Sequence, residues 1–209
     1  MKIMTRVFSV LMMVAVLVGN ACGTVAAQDL SEGVMLVATA KLDGTLFQQT
    51  VVIAAPLPNG SHVGFIINRP TTVKLDSLLP DEESSRNVVD HVSQGGPLYT
   101  NGVFAVARGE ASDKSALPLV PGLFAVLDSQ GVDRTLAKAP NDARYFIGLI
   151  TRTPNQLKQQ IDSGDWGVKR VDVDTVFCET PGLWSALRST MHTSDATGTS
   201  AAVTSIRTS

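Results

Sequence analysis

The sequence predicts an α+β domain, on three observations. Apolar runs of four to seven residues, rich in Val and Ile, recur after Gln28, a length and composition that favour strands over helices. Glycine and proline punctuate them. Two later segments carry helix-start chemistry, at Thr153-Pro154 and Thr180-Pro181, ahead of apolar residues at helical spacing.

Taken in order, residues 1–27 read as a secretory signal: Lys2 and Arg6, an uncharged apolar run, and the small residues Val25 and Ala27 before the cleavage point. Less favoured alternatives are an uncleaved anchor through residues 7–27 and lipidation at Cys22. The chain is thereby expected to be exported, to the periplasm or beyond, with membrane contact only through that N-terminus. Removal of residues 1–27 leaves 15 Lys and Arg against 19 Asp and Glu, a formal charge of −4. A mildly acidic surface disfavours nucleic acid, whose binding draws on phosphate neutralisation by cations. Hydrophobic residues at 44% and charged residues at 17% fit one packed core rather than disorder, so residues 28–189 form a single domain.

GVMLVAT (33–39), TVVIAA (50–55) and VGFIIN (63–68) are the first three strands. Asn59-Gly60, which tolerates positive φ, joins the second and third as a hairpin. Both faces of these strands are apolar, so the sheet is covered on each side or closed on itself. LDSLLP (75–80) gives a single helical turn, and GVFAVAR (102–108), GLFAVLD (122–128) and RYFIGLIT (144–151) give further strands. DRTLAKA (133–139) is a weaker helix. TPNQLKQQIDSG is a stronger one, with Thr153 and Gln156 as a capping box, Pro154 in the first turn and Gly164 as the C-cap. A closing helix follows Thr180-Pro181 through GLWSALRS, and residues 190–209 read as a disordered tail.

The most informative stretch is GFIINRP (64–70). Pro70 cannot donate to a ladder and keeps Arg69 extended, so the strand stops there. Asn68 and Arg69 then either supply donors to backbone carbonyls at the strand end or, in the functional alternative, Arg69 receives an anionic ligand. Gly95 and Gly96 in SQGGPL allow a close backbone approach, by a turn or by a ligand. Asn68, Arg69, Gly95 and Gly96 are therefore the candidate ligand-binding residues. No catalytic residue is assigned. His91 and Ser93 share a strand face if 89–94 is extended, but a third partner is not visible. Asp81-Glu82-Glu83 reads as a solvated loop, and Asp172 and Asp174 supply too few oxygens for calcium. No metal or cofactor is expected. After loss of Cys22, Cys178 is a lone cysteine, read as buried.

F-x-x-x-V-V (47–52), GFIINRP, GGP (95–97), R-x-F-x-G (144–148), P-x-Q-L (154–157) and Trp166, in that order, resemble the YqgE/AlgH family of bacterial proteins over roughly residues 30–188. The resemblance implies an α+β fold whose mixed sheet bifurcates and partly closes into a small barrel flanked by helices. It implies no reaction and carries no catalytic residue. Asn68, Arg69, Pro70, Gly95, Gly96, Pro97, Gly148, Gln156, Leu157 and Trp166 match its signature without assigned roles. The chain departs from the family pattern at Thr151-Arg152, where Gly-Trp is usual, at Lys158 and Gln160, and in carrying an export signal. The reading favoured is an exported, non-catalytic binding or regulatory module for an unknown protein or small ligand. A hydrolase-type enzyme with an unrecognised site and a structural envelope component are the alternatives.

Overall fold

β1 (Val34–Ala38), β2 (Val51–Pro56) and β3 (His62–Ile66) form an antiparallel meander from the three Val/Ile runs. The structure, a computed structural model, describes residues 30–111, 116–178 and 181–199, with side chains as far as Met191. The β2–β3 turn closes as predicted, with the Leu57 amide donating to the Ser61 carbonyl at 2.7 Å and Gly60 at φ +81. Alternation along the strands explains their two-sided apolarity. Met35, Ile53 and Phe65 enter one core cluster, whereas Leu36, Val52 and Ile66 enter another on the opposite face.

β8 (Ala143–Arg152) is where the sheet divides. One edge pairs with β5 (Leu98–Arg108), from Ala107↔Ala143 to Val103↔Ile147. The other edge pairs with β3 only at its end, His62↔Arg152 to Gly64↔Ile150. Beyond Gly64 the two strands part around β4 (Ser93–Gln94), which runs parallel to β8 through Ser93↔Phe146 and Gln94↔Ile147. Gly95 completes the wedge: its amide donates to the Ile147 carbonyl and its carbonyl accepts the Ile66 amide, both at 2.8 Å. The full order is β6-β7-β5-β8-β3-β2-β1-β9, with β6 (Ala116–Val120), β7 (Leu123–Val126) and β9 (Trp166–Arg170). The Gly33 amide donates to the Leu119 carbonyl at 3.0 Å, so β6 curls back to the start of β1. This is the α+β fold with a bifurcated, partly closed sheet that the resemblance implied.

β6 and β9 were not expected as strands. β6 contains Pro118 and a register shift beside it, which suits only a poorly paired strand. β9 pairs along β1, and its WGVKR lacks an apolar run.

The helices follow their caps. α1 (Leu75–Leu78) is the predicted single turn. α2 (Ser129–Lys138) begins four residues ahead of the expected 133–139 because Asp128 caps it, accepting the Gly131 amide at 2.8 Å. In α3 (Pro154–Asp162) both halves of the Thr153–Gln156 capping box are present, and Gly164 stands at φ +76. Asp172 caps α4 (Val173–Phe177) through the Thr175 amide. α5 (Leu183–Thr199) starts where the closing helix was placed and continues to Thr199, nine residues past Thr190. The predicted signal segment 1–27, the capping role of Thr180 and residues 200–209 lie outside the described residues. Among the described residues no helix is long and apolar enough to cross a membrane.

Candidate functional site

The corner after β3 is tied off by its own side chains. Asn68 Oδ1 accepts the Val51 amide and Asn68 Nδ2 donates to the Gln49 carbonyl, both at 2.8 Å. The Ile67 amide donates to the Val51 carbonyl, so the Asn68 carboxamide continues a ladder that Pro70 would otherwise end. Arg69 Nη2 donates to the Gln48 carbonyl at 3.4 Å, and desolvation lowers the pKa of its half-buried guanidinium. The Arg69 carbonyl accepts the Gln94 amide, and Pro70 bridges Ser93. The strand-end role read from the sequence is thus the one these bonds perform. Replacing Arg69 with alanine is expected to lower stability by less than about 1 kcal/mol in a urea melt, the loss of one long bond to a carbonyl. A loss of several kcal/mol would overturn this account.

Gly95 and Gly96 do permit a close approach, but of protein backbone. A Cβ on Gly95 would stand 2.3 Å from the Gly148 carbonyl oxygen, and one on Gly96 would stand 2.3 Å from the Leu149 carbonyl. Both residues are buried against β8.

A cavity of about 480 Å³ opens on the other side of the corner. Gln49, Asn68 and Pro70 line it from the corner, Leu183 and Trp184 from the start of α5, and Arg144 from β8. Arg144 is 3% exposed. Its Nη1 donates to the Ile67 carbonyl at 3.0 Å and the Val176 carbonyl at 2.7 Å, and its Nη2 donates to Ser93 Oγ at 2.9 Å. One guanidinium on β8 therefore joins β4, α4 and the residue just past the end of β3. Trp184 is anchored by its indole N–H, which donates to the Ala38 carbonyl at 2.8 Å. Asn68 is the one of the four candidate residues that lines this cavity.

An AlgH-like family model matches residues 35–195, most of the chain. The chain belongs to the AlgH-like family. A UPF0301 protein of Chlorobium phaeobacteroides is 28% identical over 163 residues, covering 76% of this chain and 85% of that relative. A UPF0301 protein of Streptomyces coelicolor is 30% identical over 160 residues, covering 73% and 82%. In fold, the chain is similar to the solution structure of the AlgH protein from Pseudomonas aeruginosa, with a TM-score of 0.64, 20% identity, and coverage of 86% of this chain and 98% of that one. A protein from Corynebacterium diphtheriae matches with a TM-score of 0.61 and 22% identity, covering 77% and 86%.

Within this AlgH-like domain, two positions that depart from the family pattern meet. Arg152 Nε donates to Gln160 Oε1 at 3.1 Å, and the Arg152 guanidinium lies 5.2 Å from the Phe47 ring centre. The other sequence candidates disperse. Ser93 is buried and bonded to Arg144, whereas His91 is exposed, so the two do not act as a pair. His62 is buried, with Nε2 3.0 Å from the Leu30 carbonyl oxygen. Asp172 is held below its usual pKa by the Thr175 hydroxyl and then the Thr175 amide, while Asp174 pairs with Arg108 at 3.0 Å. The expectation that Cys178 is buried is corrected: it is exposed and lines the cavity, because the chain leaves α4 there on its way to α5. Arg144 was not singled out, although it is the one charge in the strand RYFIGLIT before Arg152. A cation inside a run that must be buried requires built acceptors, and that was the available signal.

Proposed function

We propose that the protein is an exported, non-catalytic binding module of regulatory type, and that the cavity between the Asn68-Arg69-Pro70 corner and α5 receives a small ligand. The observation that supports this reading is the cavity itself. At about 480 Å³ it falls within the span of small-molecule sites, roughly 300–1,000 Å³, and it sets an apolar wall at Leu183 and Trp184 against polar groups at Gln49 and Asn68. Its buried cation is engaged in holding strand ends, a binding-site scaffold rather than a proton-transfer group. Export rests on the charged start, apolar run and small-residue cleavage point of residues 1–27.

The test has two arms. The mass of the purified protein and its distribution between cell fractions should give a chain beginning at Gln28, outside the cytoplasm. A fragment panel followed by amide NMR should move the resonances of Asn68 and the Trp184 indole, with no product formed from any panel member. Cytoplasmic retention would remove the export half of the proposal. Turnover abolished by substitutions lining the cavity would remove the non-catalytic half.

A further inference from the structure

Gln49 stands at φ +56, a left-handed conformation that residues other than glycine rarely adopt. Such strain persists where neighbours over-determine it, and it clusters at ligand clamps. The neighbours here are the signature residues. Asn68 Nδ2 holds the Gln49 carbonyl, Arg69 holds the Gln48 carbonyl, and the Thr50 amide and hydroxyl both donate to the Phe47 carbonyl. The corner therefore fixes the backbone of the residue from which the Gln49 side chain departs. Gln49 lines the cavity as an exposed residue, and its carboxamide, open to water, makes no hydrogen bond to any described residue. The indole N–H of Trp184, across the cavity, is taken by Ala38.

A carboxamide offers an acceptor and donors side by side, and its complement is another amide. We infer that Gln49 is the specificity-determining residue of this cavity, and that the ligand is a neutral, peptide-like molecule. Its N–H and C=O pair with the Gln49 carboxamide while its apolar part lies on Trp184 and Leu183. This rests on the cavity being a binding site, as proposed above. It adds the ligand's chemistry and gives the strained corner a purpose: Asn68 and Arg69 position Gln49 rather than touch the ligand.

The experiment is an amide NMR titration of the protein with three probes: N-acetyl-leucinamide, its diester analogue methyl 2-acetoxy-4-methylpentanoate as the ester that has no N–H, and cyclohexanol as an apolar probe without an amide. N-acetyl-leucinamide should shift the Asn68 and Trp184 indole resonances and bind more tightly than the ester. Gln49→Gly should weaken it about five- to tenfold, the loss expected for a pair of neutral hydrogen bonds. The same variant should melt at or above the wild-type temperature, because glycine adopts φ +56 without strain. Gln49→Glu, which keeps the side-chain shape and removes the donor, should weaken the amide probe as well and serves if the glycine variant folds poorly. Cyclohexanol binding should be indifferent to both changes. Equal affinity of the amide probe for wild type and both variants, with cyclohexanol still shifting Trp184, would overturn the role of Gln49 and leave the cavity standing. If no probe moves Asn68 or Trp184, the cavity reading and this inference fall together.

Discussion

Arg144→Ala is expected to destabilise the domain by about 3–5 kcal/mol, from unpairing three buried acceptors and losing the packing of a large buried side chain. The side chain is 3% exposed and donates to the Ile67 and Val176 carbonyls and to Ser93 Oγ. Alanine leaves those acceptors buried without a donor, and each such group costs about 1–3 kcal/mol. It also empties the volume beneath the cavity. The midpoint of a denaturant melt should fall with little change in slope, since the surface exposed on unfolding is nearly the same. A thermal melt should drop by roughly 10 °C, at about 2–4 °C per kcal/mol for a domain of this size. Arg144→Lys should recover only part of the loss, because an ammonium group lacks the planar fork that reaches separated acceptors. A loss below about 1 kcal/mol for the alanine variant would show that these bonds do not hold the strand ends together.

Gly148→Ala should be comparably severe for a different reason. Gly148 sits at φ +71, and a Cβ there would stand 2.5 Å from the Gly96 carbonyl oxygen and 2.9 Å from that of Leu98. The left-handed conformation costs an alanine about 1–2 kcal/mol, and overpacking against backbone adds about 1–3 kcal/mol. The combined loss is expected near 3 kcal/mol. Gly122→Ala separates the two terms. Gly122 has φ +81 with nothing within 4 Å of the built Cβ, so its variant should show the conformational cost alone, about 1–2 kcal/mol. Equal losses at the two positions in parallel urea melts would mean that the contact between the Gly95-Gly96 segment and β8 is looser than its geometry indicates.

The two substitutions strike the same feature from opposite sides. β4 is inserted between β3 and β8 because Gly95 and Gly96 let its backbone lie against Gly148 and Leu149, and because Arg144 reaches across it from β8 to Ser93 and Ile67. The division of the sheet thus depends on small residues that admit a third chain and on one cation that holds the separated strands. The cavity lies beside that division, lined by Ile67 and Asn68, where β3 has left β8.

What could be read from the sequence was chemistry completed within a few residues. Asn59-Gly60 closes its turn through bonds inside residues 57–61, and Thr153 and Gln156 satisfy each other three positions apart. The two-sided apolar strands likewise state their burial in their own composition, whichever neighbours cover them. The stop at Asn68-Arg69-Pro70 was legible because proline acts on its own backbone. What those side chains bond was not, since Gln48, Gln49 and Val51 lie on the preceding strand approach. β9 and the bonds of Arg144 needed the tertiary structure outright. The Arg144 acceptors are 77, 51 and 32 residues away in the chain. The cost of leaving them unpaired exists only after folding removes water from the site, so nothing local to residue 144 encodes which groups it will meet. By itself the sequence determined the β2–β3 turn, the Thr153–Gln156 cap and the family, because these depend on near neighbours and on motif order. Only the tertiary structure decided that the glycine pair receives a strand, that Arg144 on β8 joins β4, α4 and the residue just past β3, and that the corner presents Gln49 to a cavity, because each depends on which distant segments exclude water together.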